Sequence, residues 1–178
     1  DSESWLATWK NGHDQAEMHR AYERYVIEEA IPFIKHKTGW FDGMMTTGCS
    51  MGAYHAVNFF LQHPDVFNKV IALSGVYDAR FFVGDCLDDE AIYQNSPADY
   101  IWNQNDGWFI DRYRNADIIV CTGLGAWEQD GLPSFYTLKE AFEHKNIPAW
   151  FAEWGYDVSH DWIWWRKQMP YFLNQLNL

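Results

Sequence analysis

The sequence is short of cysteine, of positive charge and of long apolar runs, and each shortage removes a class of protein. Its three cysteines, Cys49, Cys86 and Cys121, are odd in number, and no two are spaced like metal ligands or a redox pair. That favours a reducing compartment, the cytoplasm, over an oxidising one. Lys and Arg number 13 against 25 Asp and Glu, for a formal net charge of −12. An acidic surface repels phosphate backbones and anionic membranes, which argues against a nucleic-acid or membrane partner. No apolar stretch approaches the ~20 residues that a spanning helix needs. The seven histidines are scattered without His-Glu-x-x-His or a similar spacing, so no catalytic metal is expected. Asp1-Ser2-Glu3-Ser4 does not form a signal-peptide pattern, and the chain contains no repeat, low-complexity tract or linker-like stretch.

What is abundant is aromatic. The 178 residues are 48% hydrophobic and 19% aromatic, with 11 Trp. This is the composition of one globular domain with a real core. Trp and Tyr also offer flat faces, so a ring-bearing substrate such as a carbohydrate is one reading of the excess, and a core built of large rings is the other.

Along the chain, helical and strand patterns alternate. A helix is predicted over 14–37, capped by Asp14 with Glu17 as capping-box partner. Met18, Tyr22, Val26, Ala30 and Phe33 lie along one of its faces, and Pro32 should disturb its last turn. Met44-Met45-Thr46-Thr47 reads as a buried strand ending at Gly48, and 50–63 as a helix stopped near Pro64. Residues 69–73 form a second strand. Residues 75–114, mixed in character, read as an excursion with short helices suited to a substrate-binding cap. Asp117-Ile118-Ile119-Val120-Cys121-Thr122 is a continuous apolar run typical of a parallel strand covered on both faces. A helix over 133–144, a strand over 148–153 and a closing helix over 162–178 follow. Strands alternating with helices imply βαβ units and a parallel sheet, an α/β fold.

Gly48-Cys49-Ser50-Met51-Gly52 matches Gly-x-Ser-x-Gly, the nucleophile elbow. The context matches too, since a strand precedes it and a helix follows. A serine on such a turn exposes its oxygen above the sheet. The two glycines are expected to avoid collisions with the neighbouring strand and helix. The N–H of Met51, at the helix start, can help hold an oxyanion. His160 lies after the last strand, where this architecture carries its general base, and the chain order serine, acid, histidine is kept. His55 and His63 lie on the helix after the elbow and read as structural. The acid should come from the loop 123–130, where Glu128 and Asp130 both qualify.

These residues together resemble the "Putative esterase" family of α/β-hydrolases, which includes esterase D-like enzymes, acetyl- and feruloyl-xylan esterases and mycolyltransferases. The likeness is strongest to a bacterial subgroup. It is carried by Thr47-Gly48-Cys49-Ser50-Met51-Gly52-Ala53-Tyr54-His55-Ala56, His63-Pro64-Asp65-Val66-Phe67 and Ala72-Leu73-Ser74-Gly75-Val76-Tyr77. It continues through Gly125-Ala126-Trp127-Glu128, His160-Asp161-Trp162, Trp164-Trp165 and the phrase from Lys167 to Leu173. The resemblance implies an α/β-hydrolase sheet and a carboxylic ester hydrolase acting through an acyl-enzyme without a cofactor. Its substrate would be a small-molecule ester, with carbohydrate-linked esters among the candidates. The Trp127-Glu128 phrase favours Glu128 as acid, while the wider family more often has an aspartate in this loop, which keeps Asp130 in play. An acyltransferase with the same residues and a non-catalytic binding module are the rival readings.

The resemblance also implies strands ahead of the first helix, one of whose loops supplies a second oxyanion donor. None is visible here. The expectation is therefore a single hydrolase domain over 1–178 that represents its C-terminal portion. Its elbow strand, central in the family, should have an open edge awaiting a second copy of the chain or a completing segment.

Overall fold

The structure, a computed structural model, describes residues 3–176. Those residues fall into two compact units. One contains 3–42 and 79–96, the other 43–78 and 97–176. The excursion expected over 75–114 is thus divided between them.

In the first unit, α1 (Gly12–Tyr25) begins two residues earlier than the pattern suggested. Its cap is Asn11, whose Oδ1 accepts the Asp14 N–H at 2.8 Å. Glu17 does not close a capping box with Asp14 but pairs with Arg20 at 2.7 Å. The helix runs on through a π-helical turn (Val26–Ala30) into α2 (Ile31–Thr38). Within that turn the Ile31 N–H bonds to the Val26 carbonyl, five residues back. The wide turn sits immediately before Pro32, which has no N–H to donate and whose ring would strike the carbonyl four residues back in a regular helix. The buried stripe of α1 is Gln15, Ala16 and His19, not the row expected from Met18 to Phe33, whose members Met18, Tyr22 and Phe33 are exposed. The reason is the N-terminal segment: Gln15 Nε2 donates to the carbonyls of Trp5 and Ala7, and the buried Trp5 ring lies between His19 and Phe82. Two short helices, α4 (Arg80–Val83) and α5 (Glu90–Tyr93), complete the unit.

The second unit is a four-stranded, wholly parallel sheet in the order β1 (Met44–Cys49), β2 (Phe67–Leu73), β3 (Asp117–Thr122), β4 (Trp150–Glu153). Helices connect the strands: α3 (Met51–Gln62), then α6 (Pro97–Asn103) and α7 (Gly107–Arg114), then α8 (Leu132–His144). Helix α9 (Trp162–Leu173) closes the unit. It ends short of the expected span, whose last two positions lie outside the described residues. Registered neighbours in a parallel sheet share a face. Ile71, Leu73, Ile119, Cys121 and Ala152 therefore form one face, packed by Trp165 and Phe172 of α9. On the other face Thr46 bonds to the Ala56 carbonyl of α3, and Phe151 meets Phe135 and Phe142 of α8. Burying each large side chain in these layers contributes roughly 1.5–3 kcal/mol.

Every strand thus points its C-terminal end the same way, which collects the strand-to-helix loops along one edge. Among the described residues β1 has β2 along one side and no strand along the other, so the elbow strand, central in the family, has the open edge expected of it here.

Candidate active site

The elbow is built by backbone constraint. Ser50 follows β1 and precedes α3 with φ 55° and ψ −122°, a conformation that costs a non-glycine residue energy and persists only where the surroundings impose it. Its N–H is held by the Leu73 carbonyl at 2.9 Å. Gly48 is required there: a Cβ would sit 2.2 Å from the backbone of Gly52. Gly52 differs from expectation, because a Cβ on it would meet nothing within 4 Å among the described residues. Among the described residues the collision foreseen at both glycines occurs only at Gly48. Met51 is the first residue of α3, so its N–H is one of the helix's first four donors that have no partner within the helix.

His160 stands on the loop between β4 and α9. Its N–H donates to the Ala126 carbonyl at 2.9 Å, which ties this loop to the one after β3. Next to it, Asp161 caps α9 by accepting the Ile163 N–H. The imidazole Nε2 lies 2.8 Å from Ser50 Oγ, and Nδ1 lies 3.6 Å from Glu128 Oε2. Residues 110 positions apart are thereby in hydrogen-bond contact, with a carboxylate behind the ring.

Of the two acids on the loop after β3, Glu128 is buried, at 2% exposure, while Asp130 is exposed and makes no ion pair with His160. The buried carboxylate is well supplied with donors. Oε1 accepts the Ser74 hydroxyl at 2.7 Å. Thr122 Oγ1 is 3.3 Å from Oε2 and 3.1 Å from the Gly123 carbonyl, and its single proton serves one of them. Ser74 Oγ in turn accepts the Trp165 Nε1–H at 3.0 Å, and the Trp165 ring stands edge-on to His160 with centroids 4.9 Å apart. Sequence reasoning did not assign Ser74, Thr122 or Trp165 to the site. The available signal was positional: Ser74 and Thr122 stand at the C-terminal ends of β2 and β3, where open parallel sheets carry their functional groups.

Other titratable groups nearby behave as core. Burial pushes the Cys121 thiol up, with the neighbouring Glu128 charge adding to the effect, and burial also raises Cys49. His55 rests on the Tyr54 and Phe59 rings, and burial lowers its pKa to about 4. Three large aromatic side chains close in sequence to His160 and Glu128 are strongly exposed: Trp127 and Tyr156 on loops and Trp162 at the start of α9. Trp127 also holds a positive φ of 68°.

A family model described as "Putative esterase" matches residues 1–176. No curated protein matches the chain. Among solved structures, a ferulic acid esterase is similar at a TM-score of 0.67 and 22% identity, over 83% of this chain and 57% of that one. An S-formylglutathione hydrolase (FrmB) of Staphylococcus aureus gives 0.62 and 19%, over 92% and 64%. The fluorophosphonate-binding serine hydrolase F of Staphylococcus aureus gives 0.62 and 18%, over 86% and 62%. The chain therefore spans less than two thirds of the length of these structures. What they share with it is the α/β-hydrolase fold expected from the sequence.

Proposed function

The chain belongs to the "Putative esterase" family, and on that premise we propose that it is a serine esterase, cleaving a carboxylic ester through an acyl-enzyme on Ser50. The observation that carries the proposal is the 2.8 Å contact between Ser50 Oγ and His160 Nε2. In this reading Ser50 attacks the ester carbonyl while His160 removes its proton. Glu128 holds the ring with Nδ1 protonated and offsets the imidazolium charge that forms. Its burial and its 3.6 Å approach to Nδ1 favour it over Asp130. The Met51 N–H stabilises the oxyanion. His160 then returns the proton to the departing alcohol, and water, deprotonated by the same histidine, releases the acid.

The substrate proposed is a small-molecule ester with a ring in it, carbohydrate-linked esters included. Trp127, Tyr156 and Trp162 support this, because exposed rings beside a polar centre suit stacking on a flat partner. For the domain itself we propose a C-terminal portion of one hydrolase domain, completed along the open side of β1 by a further segment or a second copy. An exposed strand edge of this kind is a template for pairing.

The test is labelling with a fluorophosphonate, followed by mass spectrometry. The expected result is one adduct, on the peptide carrying Ser50, competed away by a short p-nitrophenyl ester. A chain that hydrolyses the ester but carries its adduct on another serine would overturn the assignment.

A further inference from the structure

We propose that Ser74 and Trp165 are positioning residues that lock the Glu128 carboxylate in the orientation from which it can hold His160. The inference rests on the reading of Glu128 as the acid and goes beyond it, to what makes that acid effective.

A glutamate's terminal torsion is broad, so a carboxylate three bonds from the backbone has no intrinsic orientation. Burial raises the stakes, because a charged oxygen without a donor is costly. Here Oε1 is taken by the Ser74 hydroxyl at 2.7 Å, which leaves Oε2 facing Nδ1. Ser74 has one proton, and it could in principle point elsewhere. Trp165 decides the matter. An indole N–H only donates, and it points at Ser74 Oγ from 3.0 Å. Ser74 must therefore accept from Trp165 and spend its proton on Glu128. The chain of bonds runs one way, from indole to hydroxyl to carboxylate.

Two further features fit this role. Ser74 holds a positive φ of 56°, with its N–H fixed to the Cys121 carbonyl at 2.7 Å. The strained turn aims the hydroxyl across the ends of the strands to a residue 54 positions away. Trp165 touches both Ser74 and His160. Its N–H reaches Ser74, while its ring stands edge-on to the His160 imidazole. One side chain of α9 thus bears on His160 directly and on Glu128 through Ser74.

The test is a set of kinetic cycles on a p-nitrophenyl ester. Ser74→Gly removes the hydroxyl and tolerates the positive φ, and Ser74→Ala checks it. Trp165→Phe keeps a ring and removes the donor. Each is made alone and in a Glu128→Gln background, with thermal melts as controls for folding. Ser74→Gly should lower kcat by about 10- to 100-fold, as expected for a lost hydrogen bond to a charged group, with KM unchanged. Trp165→Phe should lower kcat less. In the Glu128→Gln background neither should lower kcat further, since they act through the same carboxylate. The downfield Nδ1 proton of His160 in the NMR spectrum should move upfield in Ser74→Gly. An unchanged kcat in folded Ser74→Gly, beside a strong effect of Glu128→Gln, overturns this proposal and leaves the acid assignment standing. So does an equal loss in both backgrounds, which marks a merely structural role. If Glu128→Gln itself keeps full kcat, the acid assignment fails and this proposal falls with it.

Discussion

Ser50 and Ser74 follow neighbouring parallel strands, each with a positive φ, of 55° and 56°. Both N–H groups are held by the next strand, Ser50 by the Leu73 carbonyl and Ser74 by the Cys121 carbonyl. The sheet therefore presents two serine hydroxyls from the C-terminal ends of adjacent strands, Ser50 leading into α3 and Ser74 into irregular chain. One lies against His160 Nε2 and the other against the Glu128 carboxylate. The difference between them is their neighbours: in the proposed mechanism the imidazole makes one hydroxyl a nucleophile, and the carboxylate with its indole donor makes the other a strut.

Removing the proposed nucleophile or its proposed base should abolish turnover without unfolding the chain. Ser50→Ala and His160→Ala should each reduce kcat on a short p-nitrophenyl ester by roughly 10⁴-fold or more. The double variant should be no worse than either alone, because the two act as a unit. Near-normal turnover by Ser50→Ala would end the esterase reading.

The two acids should separate cleanly. Glu128→Gln should cost several orders of magnitude in kcat, while Asp130→Asn, exposed and without a bond to His160, should stay within a few-fold of the parent. Steady-state kinetics on the three proteins decide the point, and the reverse ranking would move the role to Asp130.

The two elbow glycines should respond oppositely. In Gly48→Ala the new methyl meets the Gly52 backbone at 2.2 Å, so a loss of about 1–3 kcal/mol or more is expected from overpacking. In Gly52→Ala it meets open space near the start of α3, and the helix should be unchanged or gain about 0.5–1 kcal/mol. Thermal melts of the 178-residue chain measure both. A loss at Gly52 matching that at Gly48 would mean that a further segment packs there.

Stability should fall with acid through His55. Its pKa is about 4 in the folded state, against an ordinary value of 6.5. The neutral ring is the one that the core accepts, so the contribution is fully present above pH 6.5 and lost as the pH drops toward 4. The complete loss is about 3 kcal/mol by linkage. Urea melts between pH 7 and 5, above the range where most carboxylates titrate, should show it, and His55→Phe should flatten the slope. An unaltered slope in that variant would assign the acid sensitivity elsewhere.

Much of the architecture was legible in the sequence, because it rests on local and periodic signals. β3 matches its apolar run, 117–122, residue for residue. The elbow is read from five consecutive residues, and the place of His160 follows from strand order. Where reading failed, the deciding contact came from elsewhere in the chain. The buried stripe of α1 depends on Trp5 and Ala7 folding back onto Gln15.

The site divides in the same way. The sequence by itself determined a serine on a strand-to-helix turn, a histidine after the last strand and a loop with two carboxylates between them. Which carboxylate turns inward was decided by tertiary structure alone. Two side chains two positions apart on an irregular loop share no periodicity that would separate them. Only the loop's packing buries Glu128 and leaves Asp130 in solvent. The frame around that carboxylate is equally non-local. Ser74, Thr122, Trp165 and His160 come from four separate segments. The parallel strands bring them together by ending at one edge, and burial then requires that every charged oxygen find a partner.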